Sequence, residues 1–234
     1  MCVVSIAWHV HPRWQLIVAG NRDEFHSRAA TPLEPWPDNP SIMAGRDILS
    51  QGTWMGVSHT GRFGVVTNIR TPDGPDRHKA SRGALVTDWL THGTCPDILD
   101  NFNPFSLMIG DQNGLQYISN CPADVRASLV HGVHGLSNAV QDEHWPRKER
   151  LNRALTGWLD GRAEDLMALF IILADADATP DSAHPIFIRD GVYGTRCSTI
   201  LAVGHDGAGR IMERRFDSAG NSLGESAEAF VWVG

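Results

Sequence analysis

Cysteine is scarce in this 234-residue chain, and its four cysteines are scattered with no CxxC or CxxCH spacing. That arrangement argues against a zinc knuckle and a c-type haem attachment site. No apolar run approaches the roughly 20 residues needed to cross a bilayer, and no basic segment precedes the first apolar stretch. We therefore expect a reduced, cytoplasmic protein with no signal peptide and no transmembrane segment.

Basic residues are also fewer than acidic ones: the chain has 20 Lys and Arg residues and 27 Asp and Glu residues. The formal charge of −7 and a pI near 5.8 argue against a nucleic-acid partner, since phosphate binding needs a basic face. Apolar residues make up 42% of the chain, which is enough for a substantial core. No shift in composition divides the sequence, so we expect one domain spanning residues 1–234.

Strand patterns dominate both ends of the chain, and helical patterns lie in the middle. The predicted strands are 3–8, 14–19, 53–58, 62–68, 105–110, 115–118, 133–136, 186–188, 199–203, 211–216 and 229–233, and the predicted helices are 81–91, 146–158 and 163–173. The proline-rich segment 26–41 is predicted as a loop. Successive hairpins imply antiparallel sheets. The expected fold is α+β, with two stacked antiparallel sheets and helices outside them.

The first predicted hairpin brings the polar cluster Asn21–Glu24 close to Cys2. A thiol becomes a useful nucleophile when a base lies beside it. Removal of Met1 before the small Cys2 is chemically plausible, and it would expose an α-amine with a pKa of about 7.7–8.0. The simpler alternative is a buried strand cysteine that packs as a small apolar residue.

Four further polar residues could complete such a site. Arg22 and Asp23 could orient the amine and lower the pKa of the thiol, or they could form exposed ion pairs in a solvated turn. Asn68 and Asn138 each follow a predicted strand, and their side-chain amides could donate to an oxyanion. Asparagine in that position is also common simply as a turn residue.

The polar tetrad Asn21-Arg22-Asp23-Glu24 behind Met1-Cys2 resembles the NRDE family, which is the transport and Golgi organisation 2 family. The resemblance covers essentially the whole chain. The further matching motifs are the loop with Trp36, Gly52-Thr53-Trp54-Met55-Gly56, Thr67-Asn68-Ile69-Arg70, Ser81-Arg82-Gly83, Gly135-Leu136-Ser137-Asn138 and Tyr193-Gly194-Thr195-Arg196.

A more distant similarity links the Met-Cys start and the two strand-terminal asparagines to the cholylglycine hydrolase and penicillin V acylase group. These are N-terminal-nucleophile hydrolases with four-layer αββα folds. The resemblance implies that Cys2 is the nucleophile and its freed α-amine the base. It also implies that Asp23 holds the amine and that Arg196 matches a late active-site arginine. Asn68 and Asn138 would then stabilise the oxyanion.

One position departs from the acylase pattern. That group has an arginine three residues before the aspartate, where this chain has Gly20. Arg22 is the candidate substitute, although neighbouring strand residues such as Arg22 and Asp23 should point to opposite faces. The departure leaves the presence of an active enzyme an open question at this point.

Three functions are consistent with these patterns. The first is a hydrolase that cleaves an amide or an acyl ester or thioester of a small molecule and requires no cofactor. The second follows from the family resemblance, which implies a non-catalytic carrier of haem or of an acyl lipid such as acyl-CoA. Its axial haem ligands would come from Cys2, His9, His11 or His26. The third, a metal site of Cys2, His9 and His11, lacks a characteristic ligand spacing, so no metal is predicted.

Overall fold

Two antiparallel sheets form the centre of the fold in the computed structural model, which describes residues 2–72, 74–140, 144–177 and 185–232. The strands are β1 (Val3–Trp8), β2 (Trp14–Phe25), β3 (Glu34–Trp36), β4 (Asn39–Ala44), β5 (Met55–Ser58), β6 (Arg62–Asn68), β7 (Phe105–Asp111), β8 (Gly114–Ser119), β9 (Val125–Leu129), β10 (Gly132–Leu136), β11 (Tyr193–Gly204), β12 (Ala208–Phe216) and β13 (Ser222–Val231). The helices are α1 (Gly83–His92), α2 (Pro146–Asp160) and α3 (Met167–Leu173).

The strands divide between a six-stranded and a seven-stranded sheet. The six-stranded sheet has the order β10-β1-β2-β11-β12-β13, and the seven-stranded sheet has the order β3-β4-β5-β6-β7-β8-β9. Every described pairing within them is antiparallel. The successive hairpins therefore fold as the sequence predicts.

Three apolar clusters show how the layers stack. The first lies between the sheets and joins side chains such as Ile6 and Leu201 to Val57 and Met108. A second packs α2 and α3 against the outer face of the six-stranded sheet, and a third packs α1 against the seven-stranded sheet. The order of layers is thus αββα, which confirms the expected architecture. It also explains the consecutive apolar residues of β1, since both of its faces are buried.

The long strand β2 carries the polar tetrad inside the sheet. The sequence predicts that the strand ends at Ala19, but the pairing with β11 continues from Val18↔Leu201 to Phe25↔Tyr193. Asn21 is fully buried, and its polar side chain tolerates burial because its amide donates to the carbonyls of Leu173 and Ile186, at 2.9 Å each. The tetrad is therefore part of a central strand rather than a turn beyond it.

Several predicted elements are wrong. The segment 26–41 contains all of β3 and the start of β4, and Pro35 is tolerated because β3 is an edge strand. Residues 186–188 form no strand, α3 begins only at Met167, and the mostly exposed β9 was not predicted. Part of the last predicted strand, Val233, lies outside the described residues, as does Met1.

Candidate active site

All six residues proposed from the sequence line one cavity of about 1310 Å³. They are Cys2, Arg22, Asp23, Asn68, Asn138 and Arg196. The residues come from β2, β6 and β11 and from the segments before β1 and after β10, so the two sheets together place them around a common space. Which of these residues take part in chemistry stays a prediction.

Cys2 precedes β1 and contributes to the cavity wall. Its Sγ lies 3.8 Å from the backbone carbonyl oxygen of Asp23, which accepts the thiol hydrogen. Burial raises the pKa of the Cys2 thiol, and the Asp23 carboxylate adds to this, while Arg22 acts in the opposite direction. The thiol is therefore protonated at neutral pH, so a nucleophilic role would require a base that removes this proton.

Arg22 and Asp23 point to opposite faces of β2, as the alternation of a strand predicts. Arg22 extends into the cavity, where its Nη2 lies 3.3 Å from Oδ2 of Asp47 and 3.8 Å from Oε2 of Glu24. The carboxylate of Asp23 instead accepts a 2.7 Å hydrogen bond from Oγ1 of Thr195. Arg22 is thus not the partner of the Asp23 side chain.

Arg147 is a cationic partner of Asp23 that was not predicted from the sequence. Arg147 lies in the first turn of α2, and its Nη1 donates to Oδ2 of Asp23. Its Nη2 donates to the carbonyl of Ile186, and the residue is only 1% exposed. One signal was present in the sequence: the basic pair Arg147-Lys148 follows Pro146 at a helix N-terminus, where the helix dipole disfavours positive charge.

Gly20 lies on the same face of β2 as Arg22, in a position where any side chain would be tightly packed. A Cβ atom there would lie 3.0 Å from Cγ2 of Val4 and 3.3 Å from Cε of Met55, which projects from the facing sheet. Close packing therefore accounts for the glycine at the position where the acylase pattern has arginine. Whether Arg22, which lines the same cavity, substitutes for that arginine stays a prediction.

Hydrogen bonds hold Asn68, at the end of β6, and Asn138, in the segment after β10, close together. Nδ2 of Asn138 donates to the carbonyl of Asn68 at 2.6 Å, and the amide of Arg70 donates to the carbonyl of Asn138 at 3.1 Å. Oδ1 of Asn138 is buried with no hydrogen-bond partner among the described residues. The exposed Asn68 contributes to the cavity wall, and its side chain makes no described hydrogen bond.

Arg196 occupies an irregularity in the pairing of β11 with β2. Its Nη1 donates to the backbone carbonyls of Phe25, His26 and Arg28, at 3.0, 3.0 and 2.9 Å. Burial lowers the pKa of Arg196, and the charge of Arg22 lowers it further. The guanidinium of Arg196 therefore holds the backbone that follows β2 in place. Arg196 also lines the cavity.

His9 and His11, proposed as metal or haem ligands, do not converge on Cys2. His9 follows the other end of β1, and a six-residue strand spans about 20 Å. There His9 stacks on His131 at a centroid distance of 4.8 Å and lies 5.5 Å from His205. Within the described part of the chain, no group of three or more His, Cys, Asp or Glu could hold a metal ion. A shared site of Cys2, His9 and His11 is incompatible with this geometry.

The four-layer αββα fold is similar to that of solved N-terminal-nucleophile hydrolases. A solved structure of a Caenorhabditis elegans N-acylethanolamine-hydrolyzing acid amidase ortholog matches with a TM-score of 0.57 at 14% identity, over 86% of this chain and 92% of that one. The C2A mutant of conjugated bile acid hydrolase from Clostridium perfringens matches with a TM-score of 0.50 at 10% identity, over 97% and 92% of the two chains. These similarities establish the fold alone.

The chain belongs to the Transport and Golgi organisation 2 family, whose model matches residues 1–218. The human Transport and Golgi organization protein 2 homolog is 29% identical, and the homolog from Bos taurus is 28% identical. Each alignment covers 92% of this chain and 92% of the relative. The described helices include none that is long and apolar enough to span a bilayer.

Proposed function

We propose that this protein is an N-terminal-cysteine hydrolase that cleaves an amide or an acyl ester or thioester of a small molecule. The observation that carries the proposal is the position of the Cys2 thiol on the wall of a large cavity, beside Asp23 and together with Asn68 and Asn138. The fold class supports it, because the same architecture occurs in an amidase and a bile acid hydrolase.

The proposed reaction begins after removal of Met1. The α-amine of Cys2 takes the thiol proton as the sulfur attacks the substrate carbonyl carbon, and the carbonyl oxygen becomes an oxyanion. The Asn68 amide donates to that oxyanion, and Asn138 holds the backbone of Asn68 in place. The protonated amine then gives its proton to the leaving group as the carbon–nitrogen, carbon–oxygen or carbon–sulfur bond breaks, which leaves a thioester on Cys2.

Water completes the cycle. The α-amine removes a proton from water as the water oxygen attacks the thioester carbonyl, and the sulfur leaves with that proton when the carboxylic acid is released. Asp23 fixes the backbone at the Cys2 thiol, because its carbonyl accepts the thiol hydrogen while its carboxylate is held by Thr195 and Arg147. No step requires a metal or a cofactor.

A direct test combines intact-protein mass spectrometry with an acyl probe such as p-nitrophenyl octanoate. We expect the mature protein to lack Met1 and to gain one octanoyl group on Cys2, with none in Cys2→Ala. The matched control is Cys197→Ala, because Cys197 lines the same cavity but is not the proposed nucleophile. Retention of Met1, or labelling that survives Cys2→Ala, would exclude the mechanism.

The carrier alternative is distinguished by the same variants. No described histidine lines the cavity, so a haem bound there could take an axial ligand from Cys2 but not from His9 or His11. A haem complex whose absorption spectrum changes in Cys2→Ala, together with an absence of acylation, would favour the carrier. We expect the opposite pattern, with acylation of Cys2 and no haem spectrum that depends on it.

A further inference from the structure

Positive charge is concentrated in the cavity to a degree that the composition of the chain does not predict. Ten of the chain's 20 Lys and Arg residues line it, against six of the 27 Asp and Glu residues. A protein with a formal charge of −7 therefore contains a cavity whose described lining has an excess of four positive charges. A cleft lined mainly by one sign of charge concentrates ligands of the opposite sign.

The inner face of the six-stranded sheet arranges part of this charge in a row. Val3 pairs with Asn21, so the register sets Cys2 opposite Arg22, while Arg22 pairs with Cys197 and Cys197 pairs with Arg215. All four residues line the cavity. Neighbouring strands lie about 4.8 Å apart, so the row places the backbone of Arg215 roughly 14 Å from that of Cys2.

Three guanidinium groups in the cavity wall have buried donors without acceptors among the described residues. They are Nη1 of Arg22, Nε of Arg196 and Nε of Arg215. A buried charged donor that makes no hydrogen bond is costly, and each such group in a native protein calls for an explanation. An oxyanion in the cavity would supply the missing acceptors, and it would reduce the repulsion between the guanidinium groups.

Two of the carboxylates that line the cavity already contact basic side chains. Asp47 lies 2.6 Å from Nε of Arg28 and also contacts Arg22, and Asp23 is paired with Arg147. Arg196 and Arg215, by contrast, have no carboxylate within 4.0 Å in the described part of the chain. The positive charge farthest from Cys2 along the row is therefore available to a ligand.

We propose that Arg196 and Arg215 form a subsite for a carboxylate or phosphate group, and that the substrate is an acyl compound bearing such a group at a distance from its scissile carbonyl. The backbones of the two residues are close, because Arg215 pairs with Cys197, the neighbour of Arg196, and both residues line the cavity. The subsite itself depends only on the arginines. The assignment to a substrate rests on the proposed function, in which Cys2 attacks the carbonyl.

Binding to the subsite can be measured without catalysis, by isothermal titration of the Cys2→Ala protein with inorganic phosphate and with suberate. We expect Arg215→Gln to weaken binding of the preferred anion by about tenfold or more, since a hydrogen bond to a charged group contributes that much. The matched control is Arg214→Gln, which removes the same charge from the same strand. Arg214 instead pairs with Glu225 at 2.8 Å and lies over Phe170 of α3.

The two anions distinguish the chemistry of the ligand. Tighter binding of phosphate assigns the subsite to a phosphate group, and tighter binding of suberate assigns it to a carboxylate. Equal losses in Arg215→Gln and Arg214→Gln would mean that only the overall charge matters, and this would overturn the subsite. Failure of both anions to bind the Cys2→Ala protein would overturn it as well.

The substrate assignment is tested with two esters that differ in one charged group, p-nitrophenyl octanoate and the mono-p-nitrophenyl ester of suberic acid. We expect the anionic ester to have the higher kcat/KM, and Arg215→Gln to abolish the preference while Arg214→Gln retains it. Equal kcat/KM for both esters in the unmodified protein would overturn the assignment. If neither ester acylates Cys2, the proposed function fails, and the titrations still decide the subsite.

Discussion

Arg147 and Asp23 form a buried ion pair that ties the first turn of α2 to the central strand β2. Nη1 of Arg147 donates to Oδ2 of Asp23, and the two side chains are 1% and 0% exposed. Thr195 holds the other carboxylate oxygen at 2.7 Å. The backbone carbonyl of Asp23 in turn accepts the thiol hydrogen of Cys2 and a 3.0 Å hydrogen bond from the hydroxyl of Tyr193. The pair therefore fixes the residue against which Cys2 is placed.

Substitution of Arg147 by Met should destabilise the protein by about 3–5 kcal/mol, because it removes a buried, hydrogen-bonded cationic partner from the Asp23 carboxylate. Urea unfolding of the purified variant measures this loss. The double variant Arg147→Met with Asp23→Asn should recover part of the stability, because it also removes the buried negative charge that Arg147 contacts. A double variant no more stable than Arg147→Met would show that the pair does not contribute in this way.

The thiol of Cys2 should react slowly with iodoacetamide at pH 7 and progressively faster above pH 9. The reason is that burial raises the pKa of the thiol, so the reactive thiolate forms only at high pH. The rate is followed by mass spectrometry, with Cys2→Ala used to subtract the other three cysteines. A rate that is already maximal near pH 7 would mean that the folded protein stabilises the thiolate instead.

The fold was largely predictable from the sequence because most of its strands are buried, and buried strands are recognisable as short apolar runs. The hairpins at Met55–Ser58 with Arg62–Asn68, and at Phe105–Asp111 with Gly114–Ser119, combine apolar runs with glycine-containing turns. β3 and β9 were missed for a physical reason. β3 has three residues and includes Pro35, and β9 is almost wholly exposed, so neither carries the pattern of a buried strand.

The cavity was predictable only in part. Cys2 and Asp23 could be brought together by counting residues along one hairpin, because the register of an antiparallel pair follows from its turn. Arg147 reaches Asp23 from a helix 124 residues away in the sequence. No local periodicity encodes such a contact, since it depends on how α2 packs across β1 and β10. Gly20 shows the same limit, because Met55 of the facing sheet fills its space.

Substitution of Asn68 by Asp should reduce kcat toward p-nitrophenyl octanoate by about 100-fold or more, because it removes an amide donor from the proposed oxyanion site with almost no change in shape. Since the Asn68 side chain is exposed and makes no described hydrogen bond, the midpoint of thermal unfolding should remain unchanged. Stopped-flow kinetics and calorimetry give the two measurements. Unchanged kcat would remove Asn68 from the mechanism.

Asn138→Ala provides a contrast, because the Asn138 side chain donates to the carbonyl of Asn68 at 2.6 Å. We expect this variant to lose about 1 kcal/mol of stability in addition to activity. Urea unfolding separates the two effects. Loss of activity with full stability would instead indicate that Asn138 donates directly to the substrate.

The protein should become less stable as the pH falls below about 6.5, in part because of the histidine cluster at the far end of β1. Burial lowers the pKa of His9, and the neighbouring His131 and His205 lower it further. The neutral form is favoured in the folded state, so this stabilisation is present above the unfolded pKa of about 6.5 and is lost as the pH falls through the lower folded pKa. His9→Asn removes the titration while keeping a side chain that tolerates the φ of 51° at this position.

The difference in unfolding free energy between pH 7.5 and 5.5 should therefore be smaller in His9→Asn than in the unmodified protein. His59→Asn, in the exposed turn between β5 and β6, should leave that difference unchanged, and an equal reduction in both variants would rule out the cluster as its origin.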